Sequence, residues 1–315
     1  MKEKIAIVGA GMIGRAWAVV FARAGHEVVM YDADASALAP GLELVDEVLA
    51  DLHARGLITE EPPTVHRRIR TAAQLAEAVH DAAHVQESVA EKVDVKRQVF
   101  RAVDALARPG ATIASSTSGI PASSFTADLP GRARCLVAHP INPPSIVPLV
   151  ELVPAPWTDP QVVVRTRTLL VGAGQVPIVV NRELKGFVVN RLQGALLSEA
   201  FRLVEQGFVS TEDLDKAVKD GLGLRWSFMG PFETIDLNAP GGVRDYCARY
   251  GPLYLEIAKE SVAKPWGDAL LGRVEAERLA ALPASERPAR QAWRDRRLMD
   301  LVAHKRAAAK GEGKR

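Results

Sequence analysis

The chain has 315 residues, 48% of them hydrophobic and 25% charged, with Lys plus Arg at 40 against Asp plus Glu at 38. That is a globular balance, large enough for one large domain or two smaller ones. Its net charge of +2 excludes the basic field of a nucleic-acid binder. The two cysteines, Cys135 and Cys247, are far apart and lack metal-type spacing, so both are read as reduced core residues rather than a disulfide or a metal site. No apolar segment reaches membrane-spanning length, and Met1-Lys2-Glu3-Lys4 runs directly into a strand. A soluble cytoplasmic protein, with neither membrane nor nucleic-acid partner, is expected.

Ile5-Ala6-Ile7-Val8 reads as a buried strand that flows into Gly9-Ala10-Gly11-Met12-Ile13-Gly14 and then a helix from Arg15 to Ala24. Strand, glycine turn and helix in this order form a dinucleotide cradle. The first glycine permits the turn, the second lets backbone amides approach a pyrophosphate, and the third lets helix and strand pack closely. A second strand, Glu27–Tyr31, ends in Asp32, at the spacing where a carboxylate bonds a ribose hydroxyl. Asp32 and Asp34 would repel a ribose phosphate, which favours NAD over NADP. Residues 33–70 read as an inserted helical arm. After it come a short helix at 75–79, a strand at 84–89, a helix at 92–106 and a strand at 111–114. Glu91 and Lys96, just past a strand end, can face a cofactor or simply begin a solvated helix. The run Ser115-Ser116-Thr117-Ser118 can hold a substrate oxygen or cap a helix before Pro121.

Cys135-Leu136-Val137-Ala138 is a further strand, ending at His139-Pro140, where the chain must leave the sheet. In an open parallel sheet the carboxyl ends of strands are where ligands bind, and imidazole is suited to moving protons near neutral pH. An apolar run, Ile146 to Val153, follows with one carboxylate, Glu151, inside it. Beyond the strand Val176–Val180 the alternation ends and helices take over, the first from Phe187 to Glu205 with Asn190 near its start. On sequence alone Asn190-Arg191 would be an ordinary surface pair.

Taken together, the glycine turn, Ser115–Ser118, His139-Pro140-Ile141-Asn142-Pro143-Pro144, Glu151 and Gly186-Phe187-Val188-Val189-Asn190-Arg191 resemble the 3-hydroxyacyl-CoA dehydrogenase superfamily. Pro148–Pro154 and Gly221–Trp226 look most similar to its lambda-crystallin branch, whose activity is L-gulonate 3-dehydrogenase. The resemblance implies an α/β fold, a Rossmann-type doubly wound sheet domain over 1–184, followed by an all-helical substrate and dimerisation domain over 185–263. Residues 264–315, two amphipathic helices around Pro283–Pro288, then form a C-terminal extension whose last residues from Lys305 read as frayed. The resemblance also implies a homodimer, a catalytic set of Ser118, His139, Glu151 and Asn190, and cofactor contacts from Gly9, Gly11, Met12, Ile13, Gly14, Asp32, Glu91 and Lys96.

The residue types fit alcohol oxidation. His139 would take the hydroxyl proton, Glu151 would hold its other ring nitrogen, and Ser118 and Asn190 would bind the substrate oxygen. No metal is called for. Pro140 and Pro148-Leu149 stand where acyl-CoA enzymes of the family carry an aromatic and a Met-Lys pair. The arm has no lysine, only Arg55, Arg67, Arg68 and Arg70. Both features favour a small free hydroxy acid, with Arg225 either facing its carboxylate or making a structural salt bridge. The rivals are L-3-hydroxyacyl-CoA dehydrogenase, L-carnitine dehydrogenase and, from another class, an NAD(H)-binding crystallin-like structural protein. Trp226, Phe228, Met229, Phe232 and Tyr246 suit a dimer interface but more ordinarily form plain core.

Overall fold

A computed structural model describes residues 2–262 and 264–312, side chains of 310–312 apart. Met1, Ala263 and residues 313–315, which the expected domain ranges include, lie outside the described residues. The chain forms two compact units, Met1–Arg191 with Ala292–Arg315, and Leu192–Gln291.

The first unit is built on an eight-stranded sheet in the order β3-β2-β1-β4-β5-β6-β7-β8. The strands are β1 (Lys4–Val8), β2 (Glu27–Tyr31), β3 (Ile69–Thr71), β4 (His84–Glu87), β5 (Thr112–Ser115), β6 (Cys135–Pro140), β7 (Leu149–Pro154) and β8 (Val176–Val179). The first six run parallel, whereas β7 pairs antiparallel with β6. The turn between them lets the chain double back where an all-parallel reading would have required a crossover. The helical arm expected over residues 33–70, with its breaks at Gly56 and Pro62-Pro63, ends in strand β3, which Ile69 anchors by packing into the core. Its α-helical parts are α2 (Leu38–Ala54) and the short helix Pro62–His66.

Alternation along β1 shows why both faces must be covered. Ile5 and Ile7 join the cluster containing Trp17 and Phe21 of α1 (Met12–Arg23), while Ala6 and Val8 join the cluster with Val85, Phe100 and Val137. The final helix, α4 (Arg287–Glu312), packs onto the first cluster through Met299, with Leu298, Val302 and Ala303 beside it. Residues 305–312 are therefore helical rather than frayed, and Arg306 donates to the Leu57 carbonyl at 3.1 Å; the rest of the tail expected to fray lies outside the described residues. The helix labelled α3 (Val189–Glu205) begins the passage into the second unit.

In the second unit Cys247 is exposed on the helix Gly242–Glu260, which buries no residue, so the expectation of a core cysteine holds for Cys135 alone. Phe228 and Phe232, 68% and 77% exposed, are likewise not plain core, and Trp226 is also exposed. Among the described residues no helix is long and apolar enough to cross a membrane, and no cluster of His, Cys, Asp or Glu could hold a metal.

One buried histidine gives the fold an acid limit. His84 lies within β4, with Nε2 against Gln86 Oε1 at 3.0 Å and the Phe21 ring centroid 5.7 Å away. Burial pushes its imidazole from an ordinary 6.5 down to about 4. The unfolded chain therefore binds a proton below pH 6.5 that the folded chain refuses, so stability falls as pH drops through that window. The gap corresponds to about 3 kcal/mol once pH is below both values. Thermal unfolding from pH 7 to 4 should show this loss, and a His84→Met variant should lose less stability over the same interval.

Candidate active site

Every expected site residue of the first unit sits at the carboxyl edge of the sheet. The chain reverses its direction of travel across the sheet at β1, which has β2 on one side and β4 on the other. The turn after β1 therefore opens at the topological switch point, where such sheets bind ligands. Gly9 has φ +106°, and a Cβ there would come within 2.6 Å of the Ser88 carbonyl oxygen on the neighbouring strand end. A Cβ on Gly14 would lie 1.8 Å from the Gly9 carbonyl oxygen. Both positions exclude any side chain.

Gly11 differs, because a Cβ there would meet nothing within 4 Å. Gly11 caps α1 without a side-chain hydrogen bond to the first-turn amides. The open space and uncapped amides suit a pyrophosphate. Met12 is exposed beside it, while Ile13 packs on the core. Asp32 is held by the same turn: Ala10 N donates to Oδ2 at 2.7 Å and Asp34 N to Oδ1 at 2.9 Å. Asp34 accepts from Ser36 N, and the Ser36 hydroxyl and amide together hold its carboxyl below the usual range. The residues present fit a dinucleotide with free ribose hydroxyls.

His139 ends β6 and lies opposite Glu151 of β7 in the antiparallel register. Its Nδ1 is 2.7 Å from Glu151 Oε2, with His139 only 5% exposed and Glu151 fully buried. The other carboxylate oxygen, Oε1, accepts from Val188 N at 2.7 Å and Val189 N at 3.1 Å. Glu151 therefore ties the imidazole to the start of α3. Burial opposes its charge, but the His139 bond and the two amides outweigh burial, and its carboxyl lies below the ordinary carboxylate range. Phe187 packs beside the imidazole, with ring centroids 5.4 Å apart, and takes φ +50° directly after Gly186. A buried phenylalanine in the left-handed region is a strained link, and here it aims the two amides at Glu151.

Ser118 and Asn190 are brought together, since Asn190 Nδ2 donates to the Ser118 carbonyl oxygen at 2.5 Å. The backbone of Ser118 is fixed in turn by Glu91 Oε1, which accepts from Ser118 N at 2.9 Å and Thr117 Oγ1 at 2.5 Å. Glu91 thus supports the hydroxyl turn. Lys96 is 1% exposed and places Nζ 2.9 and 3.1 Å from the two oxygens of Glu87 and 3.4 Å from Glu91 Oε2. It underpins the strand ends from below. Arg225 lies in the second unit, exposed on the short helix Gly223–Trp226.

Sequence reasoning missed Glu87, and it singled out Ser116 only as one of the four hydroxyls. Glu87 is a fully buried acid that accepts from Ser115 Oγ at 2.6 Å, Val89 N at 2.7 Å and Lys96. Ser116 Oγ joins Trp17 Nε1, Gln86 Nε2 and Ser88 Oγ. A carboxylate at the end of an otherwise buried strand, with a lysine on the next helix, was the available signal for Glu87.

The switch-point cradle, an acid after the second strand and a buried histidine–carboxylate pair define a class: nicotinamide-cofactor oxidoreductases. Residues 4–184 match the family model for the NAD-binding domain of 3-hydroxyacyl-CoA dehydrogenase, and residues 186–269 that for its C-terminal domain. The chain belongs to the 3-hydroxyacyl-CoA dehydrogenase family. It is 40% identical to lambda-crystallin of Oryctolagus cuniculus over 310 residues, 96% of each chain. That span must take in most of the helical extension past the family model. It is 34% identical to the L-carnitine dehydrogenase/betainyl-CoA thioesterase of Rhizobium meliloti, over 98% of this chain and 62% of that one. Among solved structures, 5-formyl-3-hydroxy-2-methylpyridine 4-carboxylic acid 5-dehydrogenase, an NAD+-dependent dismutase, superposes with TM-score 0.83 at 30% identity, covering 98% of both chains.

Proposed function

We propose that this protein oxidises the 3-hydroxyl of a small L-gulonate-like hydroxy acid, with NAD as its cofactor. The observation that carries this reading is the buried His139–Glu151 pair at the sheet edge. With Nδ1 engaged by Glu151, Nε2 is the nitrogen left to take the hydroxyl proton. The imidazolium so formed is stabilised by a carboxylate that is already ionised, and the same pair returns the proton in the reverse direction. Ser118 and Asn190 position the oxygen as its carbonyl forms. Bound at the Gly9–Gly14 turn, NAD supplies the hydride acceptor. Lys96 and Glu91 hold the turn that presents Ser118.

The choice of a free acid over a CoA thioester rests on the arm. Arg55 is engaged by Asp51 at 2.9 Å and Asp300 at 3.3 Å, and Arg68 by Glu60. These guanidinium groups already have carboxylate partners, which disfavours their use on a nucleotide phosphate. A carnitine-like hydroxy acid is the second reading, supported by the 34% identity to the Rhizobium meliloti enzyme. The exposed aromatic residues of the second unit support a homodimer.

The test is NADH formation with L-gulonate, L-carnitine, L-3-hydroxybutyrate and L-3-hydroxybutyryl-CoA, each with NAD or NADP. Turnover of a free acid well above the thioester is the expected result; preference for the thioester would overturn the substrate assignment. A Gly11→Ala variant gives a separate check of the cradle. It should melt like the wild type, because the added methyl meets only open space, yet bind NADH at least about tenfold more weakly in a fluorescence titration.

A further inference from the structure

The first unit carries a second cationic site on the opposite side of α1 from the glycine turn. Arg23 closes α1 and is half-buried, with Nη1 donating to the Ser145 carbonyl at 2.6 Å. With the Gln175 amide turned so that its oxygen faces the guanidinium, Nη2 donates to that oxygen at 3.1 Å and the Gln175 nitrogen donates to the Pro148 carbonyl at 3.0 Å. Arg306, from α4, donates to the Leu57 carbonyl. All of these acceptors are neutral. Among the described residues neither guanidinium has an ion pair with a carboxylate, although both line one cavity of 280 Å³. The cavity is also walled by the Leu57–Glu60 segment, Val65 and the Gly172–Gly174 turn. Its one acid, Glu60, is taken by Arg68 in a two-pronged pair. Arg23, half-buried and without a carboxylate partner, faces a partly apolar space with the exposed Arg306 across it, and an anion between them would supply the missing counter-charge.

We propose that this cavity is a binding site for a phosphate-sized oxyanion, held between Arg23 and Arg306 and fastening α4 to α1. Guanidinium groups match such oxyanions in geometry, and the Thr59 segment offers further polar atoms at the rim. Burial, followed by the nearby Arg306, pushes the Arg23 guanidinium down to about 10, which is the electrostatic mark of a cation lacking its counter-charge. An anion bound here would act as a clasp on the last helix rather than as a participant at His139.

The test uses the full chain saturated with NADH, so that the pyrophosphate cradle is already filled. Inorganic phosphate is titrated against chloride at matched ionic strength while Tm is followed. Phosphate at about tenfold its dissociation constant should raise Tm by on the order of 2 °C. In Arg306→Gln the phosphate response should vanish, and calorimetric phosphate binding with it. Arg23→Gln should show the same loss; should it fail to fold, Arg306→Gln decides alone, since that side chain is exposed. Equal stabilisation of wild type and Arg306→Gln, or no phosphate effect on the wild type, would overturn the proposal.

Discussion

Replacing His139 with Gln is expected to lower kcat by about 10³-fold, within the range that general-base catalysis contributes. NADH affinity should stay within about twofold of the wild type, because the cradle residues belong to other strand ends. The amide nitrogen can still donate to Glu151 Oε2 but cannot carry away a proton. Replacing Glu151 with Ala should lower kcat and also cost stability, since Oε1 holds the Val188 and Val189 amides at the start of α3. Initial rates with the preferred acid and a fluorescence titration of NADH separate the two effects. Unchanged turnover in His139→Gln would remove the imidazole from the mechanism.

The second large effect concerns stability. In Lys96→Met, Glu87 would be left in a fully buried site with its counter-charge gone. Breaking a buried ion pair in this way costs about 3–5 kcal/mol, which corresponds to a fall in Tm on the order of 10 °C for a protein of this size. The double variant Glu87→Gln with Lys96→Met should recover much of that loss, because no uncompensated charge remains. A single variant that melts with the wild type would show that Lys96 is not what holds Glu87 in place. The loss should also reach the hydroxyl turn, since Lys96 lies 3.4 Å from Oε2 of Glu91, whose other oxygen, Oε1, accepts from Thr117 and Ser118.

What could be read from the chain alone followed from local chemistry. Gly9, Gly11 and Gly14 between an apolar strand and a helix, with Asp32 ending the next strand, need no long-range information, because each constraint lies within one supersecondary unit. His139 at a strand end was legible for the same reason. Its pairing with Glu151 depends on β7 turning back antiparallel, which places the two residues opposite each other in register. Strand direction is decided by the turn and by tertiary packing, and an assumption of parallel strands would have separated them. Strand β3 was hidden because Ile69-Arg70-Thr71 is only three residues long and presents one buried side chain. Glu87 looked like an ordinary polar residue, since nothing in a single strand reveals that a lysine nine positions later folds over it. Cys247 and Phe232 were expected inside on hydrophobicity alone, yet both are exposed, and residue type does not say which apolar face a helix leaves uncovered.

In the proposed reaction the carbinol hydrogen of a 3-hydroxy acid leaves as hydride while His139 takes the proton. The most direct measurement is incubation of the protein with NAD and the preferred acid carrying deuterium at C3, followed by mass spectrometry of the cofactor. The expected result is reduced cofactor carrying one deuterium in the wild type and a rate lower by about 10³-fold in His139→Gln. Tight NADH binding with no reduction of NAD by any 3-hydroxy acid or thioester would contradict it, and would leave a cofactor-binding structural protein in its place.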